Sequence, residues 1–257
     1  MNSEISITRF GKGKPVILLH GFGFNKSIWE EIVPEIGNNF NFIMPDLPGS
    51  GNSKPLLKNE FTLNDYAVWL NDFINNENLE RPVIIGHSMG GYIMMAFEKM
   101  FPEISSAIVL FHSSTYADSD EKKEARKKSI EFVKKYGTQT FLSNSIPGLF
   151  YDKEKHKDDI NKYIKQAAEI PADIINQYYV AMMERQDTSE VLKNISKPVG
   201  FILGKHDEAV PYETALKQVH LANNSDVLIL DKSAHMGMLE EPHKAAAFLR
   251  SFLHDIC

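Results

Sequence analysis

Pro82-Val83-Ile84-Ile85-Gly86-His87-Ser88-Met89-Gly90-Gly91 is the stretch on which the fold turns. Val83, Ile84 and Ile85 make a short, apolar, β-branched run of the kind that builds a strand buried on both faces. Gly86-His87-Ser88-Met89-Gly90 follows at once, a Gly-x-Ser-x-Gly pattern. Met89 to Met100 contains no proline, its only glycines lie in the first turn, and Pro102 stands just beyond, so this segment reads as a helix. A serine between a strand end and a helix start must take a strained backbone conformation. Glycines at 86 and 90 let the flanking segments pass close to it. The Ser88 hydroxyl is then presented instead of packed. The Met89 amide falls at a helix N-terminus, where backbone donors and the dipole favour negative charge.

Strand and helix alternate outward from this point. Glu4 to Phe10 reads as an edge strand and Gly11-Lys12-Gly13-Lys14 as a turn. Val16 to Leu19 reads as a buried strand ending at His20-Gly21-Phe22-Gly23. Ligands gather at the carboxyl ends of parallel strands, so the Phe22 amide is the second candidate donor to a developing oxyanion. His20 reads as a buried histidine tying that loop down. Ser27 to Ile36 is expected to be a helix with Ser27 as N-cap and Trp29 packed against the loop. Asn41 to Pro45 is a further strand. Asp46 to Ser53 is dense in turn formers, with Asp46 capping loop amides. Thr62 is the expected N-cap of a helix from Leu63 to Ile74 carrying a one-sided apolar stripe. Ile104 to Phe111 is the next strand. This order predicts a doubly wound, mostly parallel sheet flanked by helices.

At His112 the rhythm breaks. From Asp118 to about Glu190 the sequence is helical and polar, and Asp120 to Lys128 mixes both charges on what reads as a solvated helix face. The expected organisation is a core of residues 1–112 and 191–257 with an inserted helical cap at 113–190 over the strand ends. Phe141, Phe150, Tyr178 and Met182 are the candidate pocket residues of that cap, although helix-on-helix packing accounts for each as well. His112 either lines the pocket or packs beneath the cap. The sheet resumes at Val199 to Leu203, followed by Gly204-Lys205-His206-Asp207, a strand at Asp226 to Leu230, Ser233-Ala234-His235-Met236-Gly237, and a closing helix from about Pro242 to Leu253.

Ser88, Asp207 and His235 each stand just past a different strand. A serine hydroxyl is a weak nucleophile until a neutral imidazole removes its proton, and His235 is the candidate base. A carboxylate must hold the other ring nitrogen, fixing the tautomer and stabilising the imidazolium. Asp207 is the candidate, with Glu208 beside it as the alternative. His20 to Gly23, Asp46 to Ser53, the serine pentapeptide, Gly204 to Asp207 and Ala234-His235 together make the chain resemble serine hydrolases of the α/β-hydrolase fold superfamily, in particular small capped carboxylesterases. The resemblance spans nearly the whole chain except the cap. It implies an eight-stranded core, Ser88, Asp207 and His235 as triad, the Phe22 and Met89 amides as oxyanion hole, and hydrolysis of a small-molecule carboxylic ester through an acyl-enzyme. Members with an aspartate nucleophile are set aside because position 88 is serine. The same residues would also serve a thioesterase, an amidase, a carbon-carbon hydrolase or a perhydrolase, or a ligand sensor with slow turnover.

With a net charge of −6 over 257 residues, and Lys and Arg interspersed among acids, no basic face for nucleic acid is expected. No phosphate or dinucleotide loop is complete, and no histidine pair has metal-ligand spacing, so neither cofactor nor metal is expected. The one cysteine, Cys257, cannot form an intrachain disulfide and suits a reducing compartment. Met1-Asn2-Ser3-Glu4 is polar, unlike a leader, and no run approaches the roughly 18 apolar residues of a membrane span. The expected setting is the cytoplasm.

Overall fold

A computed structural model describes residues 4–56 and 61–256; the expectations for Met1 to Ser3 and for Cys257 lie outside the described residues. The strands are β1 (Ile7–Phe10), β2 (Lys14–Leu19), β3 (Phe40–Pro45), β4 (Val83–His87), β5 (Ala107–Phe111), β6 (Val199–Gly204) and β7 (Ser225–Leu230). They form one sheet in the order β1-β3-β2-β4-β5-β6-β7. Only β1 runs antiparallel, against β3; the remaining pairings are parallel. The sheet thus has seven strands among the described residues, not the eight carried over from the family pattern. Among the described residues a single antiparallel strand, β1, precedes β2.

The helices are α1 (Ile32–Ile36), α2 (Leu63–Asn76), α3 (Met89–Met100), α4 (Asp120–Ser145), α5 (Lys157–Ala167), α6 (Ala172–Met183), α7 (Ser189–Asn194), α8 (Tyr212–Gln218), α9 (Gly237–Glu240) and α10 (Pro242–Ile256). Thr62 and Asp65 cap α2 reciprocally, each side chain accepting from the other's backbone N–H. The expected helix from Ser27 to Ile36 is instead a 3-10 turn at Lys26–Trp29, capped by Asn25, followed by the short α1. The Asn25 side chain accepts from the Ser27 amide, which moves the cap two residues upstream. Trp29 is fully buried and packs edge-on against His87 and Phe111, under the end of β4.

Parallel register brings the working ends of the strands to one edge. Leu19 pairs with Gly86, Gly86 with Leu110, and Gly204 with Leu230, so the loops after β2, β4, β6 and β7 open side by side. Beneath them Val16 to Leu19, Val83 to Ile85 and Ala107 to Phe111 are wholly buried, as strands covered on both faces must be. Each such aliphatic side chain contributes about 1.5 to 3 kcal/mol on leaving water. Between β5 and β6 the chain departs from the sheet and builds α4 to α7. Gly137, at φ 81°, breaks α4 partway along.

The turn from β4 into α3 is as tight as its glycines imply. A Cβ on Gly86 would lie 2.5 Å from Gly91 Cα, and one on Gly90 would lie 2.5 Å from the Leu19 carbonyl oxygen. Both obstacles are backbone, so side-chain rotation cannot relieve them. Gly86→Ala is therefore expected to destabilise the fold by about 3 kcal/mol or more, read as a lower urea midpoint. An unchanged midpoint would show that α3 can slide away from β4 at no cost.

Candidate active site

Ser88 sits at φ 52°, ψ −117°, between β4 and α3, a conformation that costs an L-residue of order 1 to 3 kcal/mol. Its surroundings hold it there. The Ser88 amide donates to the Phe111 carbonyl at 3.0 Å, and its carbonyl accepts from the Ser113 hydroxyl at 2.8 Å. The loop after β2 lies directly against it: a Cβ on Gly21 would fall 3.0 Å from Ser88 Cβ. Phe22 and Met89 thus flank the serine. Among the described residues neither of their amides donates to a protein acceptor.

His235 Nδ1 lies 2.7 Å from Asp207 Oδ2, and both side chains are almost completely buried. That separation is a charge-assisted hydrogen bond. It is too short to seat a metal ion between the two atoms, since two ligands at about 2.0 Å in tetrahedral geometry stand more than 3 Å apart. Asp207 Oδ1 accepts from the Val210 amide at 2.9 Å. The His235 amide donates to the Leu149 carbonyl, and Glu240 accepts from the Ala234 amide at 2.8 Å. The histidine loop is therefore tied both to α9 and to the helical insertion.

His112 adds a second imidazole that the sequence left undecided between pocket and packing. It is buried at φ 48°, with Nε2 accepting from the Gly237 amide at 3.1 Å and Nδ1 3.4 Å from Asp207 Oδ2. With Nε2 an acceptor, the proton sits on Nδ1 and faces the carboxylate. Burial alone would raise the Asp207 carboxyl, but His235 and His112 outweigh it and hold it well below the ordinary carboxylate range. His20 and Asp46 play the loop-tying parts expected of them. His20 Nε2 accepts from the Leu47 amide, and Asp46 accepts from the Lys26 and Asn52 amides and from Lys26 Nζ.

Buried histidines make the fold sensitive to acid. Burial lowers His20 to about 4; burial, then the neighbouring His235 and His112, lowers His87 well below its usual value, and burial lowers His112. In the unfolded chain each takes up a proton near pH 6.5, whereas the folded chain keeps them neutral. Below that pH the unfolded state binds more protons, so stability falls as pH falls. His20 alone removes roughly 3 kcal/mol between pH 6.5 and its folded value. Denaturant midpoints measured from pH 7 to 4 are expected to drop throughout that range, and a flat profile would contradict the neutral buried assignment.

Ser88 and His235 line one cavity of about 210 Å³ together with Phe22, Phe24, Leu142, Ile146 and Met182. Of the four cap residues expected there, only Met182 faces it. Tyr178 is fully buried elsewhere, its hydroxyl donating to the Pro48 carbonyl at 2.8 Å and meeting the Ser50 hydroxyl. Phe150 is buried against His156, and Phe141 packs on Phe132 and Tyr179 at a separate shallow surface. The cavity also takes in Lys122 and Arg126 from α4, the face read as solvated. Their four-residue spacing puts them on one side of a helix, a signal present in the sequence but equally consistent with an outer face. Asp118, buried behind them, pairs with Arg126 Nε at 2.6 Å and Arg185 Nη1 at 2.7 Å. Burial pushes its carboxyl up, and the two guanidinium groups outweigh that and hold it below the ordinary value.

The family profile described as the alpha/beta hydrolase fold matches residues 14–242. The chain belongs to the α/β-hydrolase fold family. Relatives with a named activity are hydrolases of different substrates. The pimeloyl-[acyl-carrier protein] methyl ester esterase of Aeromonas hydrophila is 25% identical over 97% of this chain and 99% of its own. The 2-hydroxy-6-oxo-6-(2'-aminophenyl)hexa-2,4-dienoic acid hydrolase of Metapseudomonas resinovorans is 28% identical over 95% of this chain and 85% of its own. Among solved structures, a thermophilic esterase of Thermogutta terrifontis superposes with a TM-score of 0.92 at 26% identity, covering 99% of this chain and 94% of that one. No described helix of this α/β-hydrolase is long and apolar enough to cross a membrane.

Proposed function

We propose that this α/β-hydrolase cleaves small carboxylic esters through an acyl-enzyme, with Ser88 as nucleophile, His235 as general base and then acid, and Asp207 holding His235. The observation that carries the proposal is the 2.7 Å Asp207–His235 bond beside a strained serine in the same cavity. His235 takes the Ser88 proton as Oγ attacks the ester carbonyl. The Phe22 and Met89 amides hold the oxyanion, a stabilisation worth about 3 to 4 kcal/mol per donor in comparable sites. His235 then protonates the leaving alcohol and activates the water that releases the acid. Residues 113–190 serve as the cap, with α4 and α6 walling the cavity. The Leu149 carbonyl, bonded to the His235 amide, couples that cap to the base.

Turnover of p-nitrophenyl esters from acetate to octanoate by the purified protein tests the proposal. A short-chain optimum is expected from a cavity of about 210 Å³. Absence of turnover across the series would remove esters from the account. The 28% identical Metapseudomonas relative favours a second reading, cleavage of a carbon-carbon bond in a vinylogous diketo acid by the same residues. Disappearance of the visible absorption of such a substrate, with esters untouched, would select it.

A further inference from the structure

One wall of the cavity is positively charged in a protein whose net charge is −6. Lys122 and Arg126 both line it, and no Asp or Glu does. Both cations are anchored with donors to spare. Arg126 engages Asp118 through Nε, and its guanidinium lies 5.5 Å from the centre of the Tyr179 ring, so both Nη groups remain available. Lys122 Nζ donates to the Ala209 carbonyl at 2.7 Å and has two further protons. A purely structural role does not account for the set. Asp118 is already paired by Arg185, itself braced 4.1 Å over the Tyr92 ring, so one carboxylate faces two guanidinium groups. Arg126 is mostly removed from water, its side chain 12% exposed, and a cation so placed without a full complement of anions is costly. A ligand carboxylate between the Arg126 Nη edge and Lys122 would complete it. Planar guanidinium and carboxylate groups match in this way, and the remaining apolar lining suits a short hydrocarbon chain.

We infer that the cavity selects esters that carry a free carboxylate, bound by Arg126 and Lys122; the inference rests on the ester assignment for Ser88 made above. The carboxylate can belong to the acyl half or to the alcohol half, and two matched pairs of substrates separate these. The first pair is p-nitrophenyl hemiglutarate against p-nitrophenyl pentanoate. The second is 4-carboxyphenyl pentanoate against 4-carbamoylphenyl pentanoate. In one pair the anionic member is expected to have a kcat/KM higher by about tenfold or more, and Arg126→Gln or Lys122→Gln should each erode that ratio by about tenfold. Arg126→Lys, which keeps the charge but not the planar fork, should retain only part of it. A binding measurement independent of turnover accompanies these: calorimetric titration of the Ser88→Ala protein with monomethyl glutarate against methyl pentanoate. Esters cleaved with no preference for the anion in either pair would overturn the inference and leave the ester assignment standing. Monomethyl glutarate bound through Arg126, with no ester cleaved by the wild type, would do the reverse. No ester cleaved by the wild type, together with no binding of monomethyl glutarate, would remove both.

Discussion

Ser88→Ala is expected to lower ester kcat by at least about 10⁴-fold while leaving the fold intact. The hydroxyl is the atom that would carry the acyl group, and the other serine lining the cavity, Ser145, donates its hydroxyl proton to the Phe141 carbonyl within its own helix. Ser113, just past the end of β5, donates its proton to the Ser88 carbonyl and so is committed to holding the turn. Members of such a triad act as a unit, so deleting the nucleophile alone removes nearly all the acceleration they supply together. Alanine fits the site because Ser88 Oγ makes none of the bonds that maintain the turn; those run through its backbone amide and carbonyl. Turnover measured by stopped assay, with the urea midpoint as the control for folding, checks both halves. Residual activity within tenfold of the wild type would mean that water is activated without an acyl-enzyme.

Asp207→Asn should cost nearly as much, about 10⁴-fold in kcat, for a reason peculiar to the crowding of this carboxylate. Oδ1 accepts from the Val210 amide, while Oδ2 faces His235 Nδ1 and His112 Nδ1. The Gly237 amide fixes the His112 proton on Nδ1, which stands 3.4 Å from Oδ2 and favours a negative oxygen there. An asparagine can present its oxygen to only one side. With the amide nitrogen toward the histidines, it sets a donor opposite the His112 proton and draws His235 into the tautomer whose Nε2 is already protonated, useless as a base. Turned over, it sets its N–H₂ against the Val210 amide and leaves a buried donor unsatisfied, at about 1 to 3 kcal/mol. The expected result is a loss of kcat with a lowered denaturation midpoint. Loss of less than tenfold would place the acid elsewhere, with Glu208 the adjacent candidate.

The elements that position Ser88 were legible because their physical causes are local. Gly86 and Gly90 announce a backbone crossing, the β-branched run before them a buried strand, and the absence of bulk in the first turn of α3 a helix pressed against that strand. Asp207 and His235 were legible for a related reason: parallel strands deliver their following loops to one edge, so residues far apart in sequence converge once strand ends are located. What escaped depended on direction. Tyr178 carries a hydroxyl that needs partners when buried, and the Pro48 carbonyl and Ser50, some 130 positions away, decided where it points. Lys122 and Arg126 lie among charges of both signs, and nothing within α4 distinguishes the side that meets the cavity from the side that meets water. His112 looked like one more residue at a strand end, and only the approach of Gly204 and Gly237 to its ring, at distances no Cβ would allow, shows how closely it is enclosed. The eighth strand failed differently, since it was borrowed from a family pattern with no residues of this chain behind it.

Treating the wild type and Ser88→Ala proteins with a fluorophosphonate, and locating the adduct by peptide mass spectrometry, tests whether Ser88 carries the covalent acyl group. One adduct per wild-type chain is expected, on Ser88 in the peptide spanning β4 and α3, and none on the variant. An adduct on another residue that persists in Ser88→Ala, or an unlabelled wild-type protein that still hydrolyses esters, would contradict that role.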